Sequence, residues 1–197
     1  MKKIIHIGYP KCISTTLQNI WSASDNYDYF EIQDYFLNLK NNFFNDLSFI
    51  EKTKNLSITK IQLPNTQKKQ QVFSSEIFLS IENSVYENSE IFKLFHQYLA
   101  INMSQISEDV LVIVRNPRNL LKSLHAQSIK EGGYKNFSQF LLENNQSLLN
   151  FFNLSTIYKI WRKEGFNLKI IPLELYESEK LEFWNILNSE MNIEIPS

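Results

Sequence analysis

The segment from Asp109 to Arg115, DVLVIVR, constrains the fold more than any other part of the chain. Its five consecutive apolar residues lack the apolar–polar alternation of a strand that has one face in water. Such a run predicts a strand buried on both faces, as in a parallel sheet that helices cover on both sides. Asn116 and Pro117 are typical of a helix start, so a helix is expected from there to about Glu131.

The rest of the chain alternates between similar apolar runs and helical spacing. Further buried strands are predicted over 4–7, 71–75 and 168–173. Further helices are predicted from Ser14 onward and near 87–104, 137–150, 154–164 and 178–190. The stretch 25–68 is rich in aromatic residues and asparagine, and indicates helices and loops lying over the sheet. The pattern as a whole predicts an α/β protein with three layers, α/β/α, around a central parallel sheet.

Composition narrows the class of protein. The 197 residues suit one domain spanning 1–197, and a net charge of -1 argues against a protein that coats nucleic acid. A single cysteine cannot form an internal disulfide, which favours a cytoplasmic location. The histidines and the cysteine lack metal-site spacing, and no apolar run is long enough for a transmembrane segment. We therefore expect a protein without a metal or a membrane span.

The first loop, Gly8 to Thr16 with sequence GYPKCISTT, joins the first strand to a helix. Backbone N–H groups at a helix N-terminus point toward one spot and attract anions. Lys11 adds a positive charge, and Ser14, Thr15 and Thr16 add hydroxyl donors. The loop is therefore suited to phosphate. The chain contains no Gly-Lys pair, so an ordinary ATPase or GTPase of the G-x-x-x-x-G-K-[ST] type is disfavoured.

The second segment, Arg115 to Ser123 with sequence RNPRNLLKS, carries another set of donors. Arg115 leaves its strand at the carboxyl end, where ligands of parallel sheets bind. Ser123 lies about two turns into the following helix, so both side chains can reach one phosphate.

Several nearby residues allow two interpretations. Cys12 could be a nucleophile of lowered pKa or, more simply, a small residue in a turn. Arg118 and Lys122 add positive charge near Arg115, but solvated helix surface is the simpler interpretation. His6 and His125 could act as bases, although packing or surface roles are expected for both.

These segments resemble conserved motifs of one family. The stretch from Pro10 to Thr16, PKCISTT, resembles the P-K-[ST]-G-[ST]-T loop of sulfotransferases, which holds the 5′-phosphosulfate of 3′-phosphoadenosine-5′-phosphosulfate (PAPS). Arg115, Pro117 and Ser123 match the family segment that binds the 3′-phosphate. Residues 72–76, VFSSE, resemble the S-S-E segment of the glycan-modifying and bacterial branches, in which the glutamate is the catalytic base. The resemblance implies a P-loop NTPase-like sulfotransferase fold.

It also implies a function and a set of roles. The implied reaction moves a sulfuryl group from PAPS to a hydroxyl or amine of a carbohydrate or small molecule, with adenosine 3′,5′-bisphosphate as product and no metal. Lys11 and Glu76 would be catalytic. The implied donor-binding residues are Lys11, Cys12, Ile13, Ser14, Thr15, Thr16, Arg115 and Ser123.

Two departures leave an alternative open. Ile13 stands where the family has glycine, and the basic, glycine-containing loop near the C-terminus of the classical cytosolic enzymes has no counterpart here. The alternative is a catalytically degenerate module that binds a nucleotide or another protein. For the aromatic residues of 27–49 we predict a role in shaping the acceptor site.

Overall fold

The computed structural model describes residues 2–8, 12, 14–63, 70–75, 84–133 and 135–192. Within these residues, five strands form one parallel sheet in the order β2-β3-β1-β4-β5. The strands are β1 (Lys2–Gly8), β2 (Tyr27–Glu31), β3 (Gln70–Ser75), β4 (Asp109–Val114) and β5 (Asn167–Pro172).

Helices connect the strands and cover the sheet. They are α1 (Ser14–Ala23), α2 (Gln33–Asn45), α3 (Leu47–Thr53), α4 (Ser89–Met103), α5 (Pro117–Lys130), α6 (Phe137–Glu143), α7 (Asn145–Phe151), α8 (Leu154–Lys163), α9 (Leu173–Ser178) and α10 (Lys180–Met191). A 3₁₀ helix, Ser84–Glu87, precedes α4. No helix of the described residues is long and apolar enough to cross a membrane.

The core lies on both faces of the central strands. Ile4, Ile5 and Ile7 of β1 are all at most 1% exposed, although successive side chains of a strand point to opposite faces. Burial of both faces explains the five consecutive apolar residues of β4 and the mostly apolar run of β1, from which the two strands were predicted. The predicted α/β class with a parallel sheet is confirmed.

The order of the strands places a crevice beside β1 and β4. These strands are neighbours, with Ile5 paired to Val110 and Gly8 paired to Ile113. After β1 the chain proceeds toward β2 and β3, whereas after β4 it proceeds to β5 at the other edge. Connections that leave in opposite directions open a crevice at the carboxyl ends of the two strands, where ligands of such sheets bind.

Two sequence predictions about elements are wrong. The stretch 25–68 contains the edge strand β2 in addition to α2 and α3. The helix predicted over 137–150 is interrupted at Asn144, where φ is -103° and ψ is 12°, so it forms α6 and α7. The helix predicted near 178–190 is confirmed as α10, and the short helix α9 before it was not predicted.

The larger aromatic side chains of 27–49 belong to the core. Tyr27, Phe36 and Phe43 are at most 1% exposed. The ring of Phe43 lies 5.1 Å from that of Phe95 and 5.5 Å from that of Tyr98, which joins α2 to α4. The expectation that this segment shapes an acceptor site is therefore wrong for these three residues, because no acceptor can reach them.

Candidate functional site

The turn between β4 and α5 is held from two sides. The side-chain Oδ1 of Asn116 accepts a hydrogen bond from the backbone N–H of Arg118 at 3.0 Å, and Pro117 is the first helical residue. This is the N-cap expected from the sequence. The backbone N–H of Asn116 donates to Oε1 of Glu174 on α9 at 2.8 Å. A carboxylate that follows the neighbouring strand therefore fixes the turn that carries Arg115.

Arg115 and Ser123 meet in space. Nη1 of Arg115 donates a hydrogen bond to Oγ of Ser123 at 3.2 Å, and both side chains are partly exposed. The eight-residue spacing thus brings a guanidinium and a hydroxyl together at the carboxyl end of β4, as the helical repeat requires. Arg118 and Lys122 are exposed, in keeping with the interpretation as helix surface.

The described residues of the first loop lie at the end of β1 and the start of α1. Cys12 is fully buried, and Ser14, the first residue of α1, is 6% exposed. Oγ of Ser14 has no hydrogen-bond partner in the described part of the chain. Thr15 and Thr16 are exposed on the first turn. Of the predicted site residues, Lys11, Ile13 and Glu76 lie outside the described residues.

Burial dominates the pKa of the Cys12 thiol. Burial raises the pKa of the Cys12 thiol to about 12, the positive charge of Arg115 lowers it in part, and the negative charge of Glu174 raises it further. Gly8, the last residue of β1, is paired with Ile113, two residues before Arg115, so the first loop and the turn that carries Arg115 leave the same edge of the sheet from neighbouring strands. The alternative of a Cys12 nucleophile with a lowered pKa is wrong, because desolvation outweighs the nearby positive charge.

A cleft of about 360 Å³ opens beside Arg115. This volume falls within the range of about 300–1,000 Å³ typical of small-molecule sites. Its polar lining comes from Arg115, Asn116 and Glu174. Its other walls are Val114, Pro117, Leu120, Phe152, Leu154 and Pro172. An apolar slot with a cation and an anion at its border can hold a flat, partly polar ring next to a phosphate.

Both histidines considered as bases have packing roles. His6 is fully buried, shares a 2.9 Å hydrogen bond between its Nδ1 and Oγ of Ser74, and packs edge-on against Trp21. Nε2 of His125 lies 2.9 Å from the backbone oxygen of Lys135, and its ring packs against Phe137. Neither side chain lines the cleft.

Glu174 is a residue of the candidate site that the sequence analysis did not identify. It is 58 positions from Asn116 in the chain, and no local pattern relates the two. The sequence could have indicated Glu174 by its position, since it follows an apolar strand and therefore lies at the same edge of the sheet as Arg115.

Comparisons with known proteins agree with this architecture. No protein-family model matches the chain, and no curated protein matches it significantly. Among solved structures, the chain is similar to a sulfotransferase from Alicyclobacillus acidocaldarius, with a TM-score of 0.65 over 100% of this chain and 84% of that one. Sequence identity is only 10%, so the likeness concerns the fold. The chain has a sulfotransferase-like α/β fold.

Proposed function

We propose that this protein is a sulfotransferase that moves a sulfuryl group from PAPS to a hydroxyl or amine of a carbohydrate or small-molecule acceptor. One observation carries the proposal: the Arg115–Ser123 pair lies at the carboxyl end of β4, and the neighbouring strand β1, which α1 follows, ends at the same edge of the sheet. A nucleotide with phosphates at its 3′ and 5′ positions needs two donor sets of this kind. A fold like that of a known sulfotransferase supports the same assignment.

In this proposal each part of the donor has its own contacts. The 3′-phosphate binds Arg115 and Ser123, since a guanidinium and a hydroxyl together offer several strong donors to phosphate. The 5′ end binds at the N-terminus of α1, where an anion is favoured. There a phosphate oxygen would satisfy Oγ of Ser14, a buried polar atom with no hydrogen-bond partner among the described residues. The resemblance adds Lys11 to this end.

The proposed transfer is a displacement at sulfur. A lone pair of the acceptor oxygen or nitrogen forms a bond to sulfur, and the bond from sulfur to the 5′-phosphate oxygen breaks. Its electron pair leaves with adenosine 3′,5′-bisphosphate, and the acceptor proton passes to a base. By resemblance that base is Glu76, and Lys11 offsets the charge that grows on the leaving phosphate. The protein contributes mainly orientation and charge stabilisation.

A binding module without catalysis is the second candidate, and Ile13 favours it. A β-branched residue resists the positive φ that glycine permits in a phosphate loop. Such a module would bind the bisphosphate at Arg115 yet fail to transfer sulfate. Binding and turnover therefore have to be measured separately.

Ligand-induced thermal stabilisation tests the donor site. A ligand that binds only the folded state raises the melting temperature, so millimolar adenosine 3′,5′-bisphosphate should raise it and ATP should raise it less. Arg115→Ala removes a charged hydrogen-bond donor and should weaken bisphosphate binding by about tenfold to hundredfold. Arg118→Ala is the matched control, because this exposed arginine lies three residues from Arg115, in the first turn of α5, but does not line the cleft. No shift for the wild-type protein would refute the proposal.

Turnover of PAPS with a panel of hydroxyl and amine acceptors separates the two candidates. Glu76→Gln should abolish transfer by removing the base while the bisphosphate still raises the melting temperature. Wild-type binding without any turnover would favour the module, and unchanged turnover in Glu76→Gln would remove Glu76 from the mechanism.

A further inference from the structure

We infer that Glu174 selects the base of the bound nucleotide by accepting a hydrogen bond from an exocyclic amine, which makes it a specificity-determining residue for adenine. The inference rests on the proposed function, because it concerns the nucleotide whose 3′-phosphate lies on Arg115. Base and 3′-phosphate are attached to one ribose. A phosphate held by Arg115 therefore brings the base to the cleft that Arg115 itself borders.

The lining of the cleft combines the apolar and polar groups that can hold the base of a nucleotide. Phe152, Leu154 and Pro172 form apolar walls against which a flat ring can pack. Glu174 supplies a carboxylate in the same lining. Sites of this kind combine mostly apolar walls with a few polar groups that fix the orientation of the ligand.

The carboxylate of Glu174 has acceptor capacity to spare. Its Oε1 accepts the hydrogen bond from the backbone N–H of Asn116 at 2.8 Å, which holds the side chain in place. No described residue donates a hydrogen bond to its Oε2. An ionised carboxylate only accepts hydrogen bonds, and its two oxygens can accept about four. Oε2 is thus an oriented acceptor at the border of the apolar cleft.

Charge decides which part of the ligand can meet this acceptor. A phosphate would be repelled by Glu174, so the carboxylate suits the uncharged end of the nucleotide rather than its phosphates. The 6-amino group of adenine is a donor, whereas the 6-oxygen of guanine or hypoxanthine is an acceptor. The amine can donate a hydrogen bond to Oε2. The carbonyl oxygen has no proton to donate, so the negative charge of the carboxylate would repel it. A site built for a donor rejects the analogue that lacks it.

The test compares two ligands that differ at this position. Dissociation constants of adenosine 3′,5′-bisphosphate and inosine 3′,5′-bisphosphate are measured by titration calorimetry on the wild type and on variants at Glu174. The wild type should bind the adenosine compound about tenfold to hundredfold more tightly, the range for a hydrogen bond to a charged group. In Glu174→Gln, the amide oxygen can still accept from Asn116 while the NH₂ group becomes a donor. That variant should lose the preference or invert it.

Two further variants keep the test decisive. Glu174→Ala should lose the preference without any gain for the inosine compound. Glu177→Gln, on the same helix but exposed, should keep the wild-type ratio. If Glu174 only supported the turn at Asn116, both ligands would weaken equally and the ratio would stay unchanged, which overturns the inference. Equal wild-type affinities overturn it too, while the proposed function survives. If neither ligand binds the wild type, both proposals fail.

Discussion

At the scale of single residues, the environment of Cys12 decides its chemistry. The positive charge of Arg115 favours the thiolate, but the thiol is fully buried, and burial raises its pKa to about 12. Nucleophilic attack requires the thiolate. We expect Cys12 in the folded protein to react with Ellman's reagent at pH 8 far more slowly than a free thiol does.

Denaturation provides the control for this measurement. Guanidinium exposes the chain and should release one reactive thiol per molecule, since the sequence has one cysteine. Rapid, stoichiometric labelling of the native protein would show that the thiol is accessible and would contradict the burial described here.

The contacts of the site that could be predicted are those between residues close together in the sequence. The meeting of Arg115 and Ser123 follows from the helical repeat, and the cap at Asn116 follows from residue type. The contact between Glu174 and Asn116 could not be derived in this way. It depends on β5 lying beside β4, and strand order is a tertiary property that no local pattern encodes. The roles assigned to Lys11 and Glu76 stay predictions.

At the scale of elements, the side chain of Asn102 holds residues 57–59, which follow α3, against helix α4. Asn102 is fully buried. Its Oδ1 accepts a hydrogen bond from the backbone N–H of Thr59 at 2.6 Å, and its Nδ2 donates to the backbone oxygens of Ser57 and Tyr98 at 3.1 and 2.9 Å. The segment thereby gains tertiary hydrogen bonds that it cannot form within itself.

Removing this side chain should destabilise the fold. Asn102→Ala removes these three hydrogen bonds, each worth about 1 kcal/mol, and should lower the free energy of unfolding by about 2–3 kcal/mol. Urea denaturation followed by circular dichroism measures the change. Asn41→Ala, on the exposed surface of α2, should change stability by no more than about 0.5 kcal/mol. A similar small effect at Asn102 would mean that the segment is not held by these bonds.

The central strands could be predicted from the sequence and the edge strand β2 could not, because the apolar pattern of a strand depends on its position in the sheet. β1 and β4 are central, and their apolar runs reflect burial on both faces. β2 is an edge strand with sequence YDYFE, in which only Tyr27 is buried. A five-residue segment without a clear period resembles a loop until β3 is known to lie beside it.

At the scale of the whole molecule, a buried, neutral histidine lies in each of two contacts, one between β1 and α1 and one between α4 and α8. His6 on β1 packs against Trp21 of α1, while His96 on α4 accepts a hydrogen bond at its Nδ1 from Nε1–H of Trp161 at 3.4 Å. Both are fully buried, and burial lowers both pKa values from 6.5 to about 3. Charging either ring would place an ion in the core, which is costly.

These two depressed pKa values predict a loss of stability in mild acid. Below about pH 6.5 the unfolded chain binds protons at both histidines, whereas the folded protein does not until the pH nears 3. The stabilisation is therefore complete above pH 6.5 and is lost as the pH falls. As the pH falls from 7 to 5, each histidine should lower the free energy of unfolding by about 2 kcal/mol. Urea denaturation at both pH values measures the sum.

Carboxylates also contribute to the pH dependence of the unfolding free energy. Replacing one histidine measures how much of that dependence comes from the histidine. His6→Asn and His96→Gln should each be less stable than the wild type at pH 7, because they disturb packing. Each should nevertheless lose less stability between pH 7 and pH 5, by about 2 kcal/mol, because one fewer group takes up a proton on unfolding. A pH dependence equal to that of the wild type in both variants would show that the histidines are charged or solvated in the folded protein. Water would then reach the core around both rings, since exclusion of water from the core is what keeps the two rings neutral.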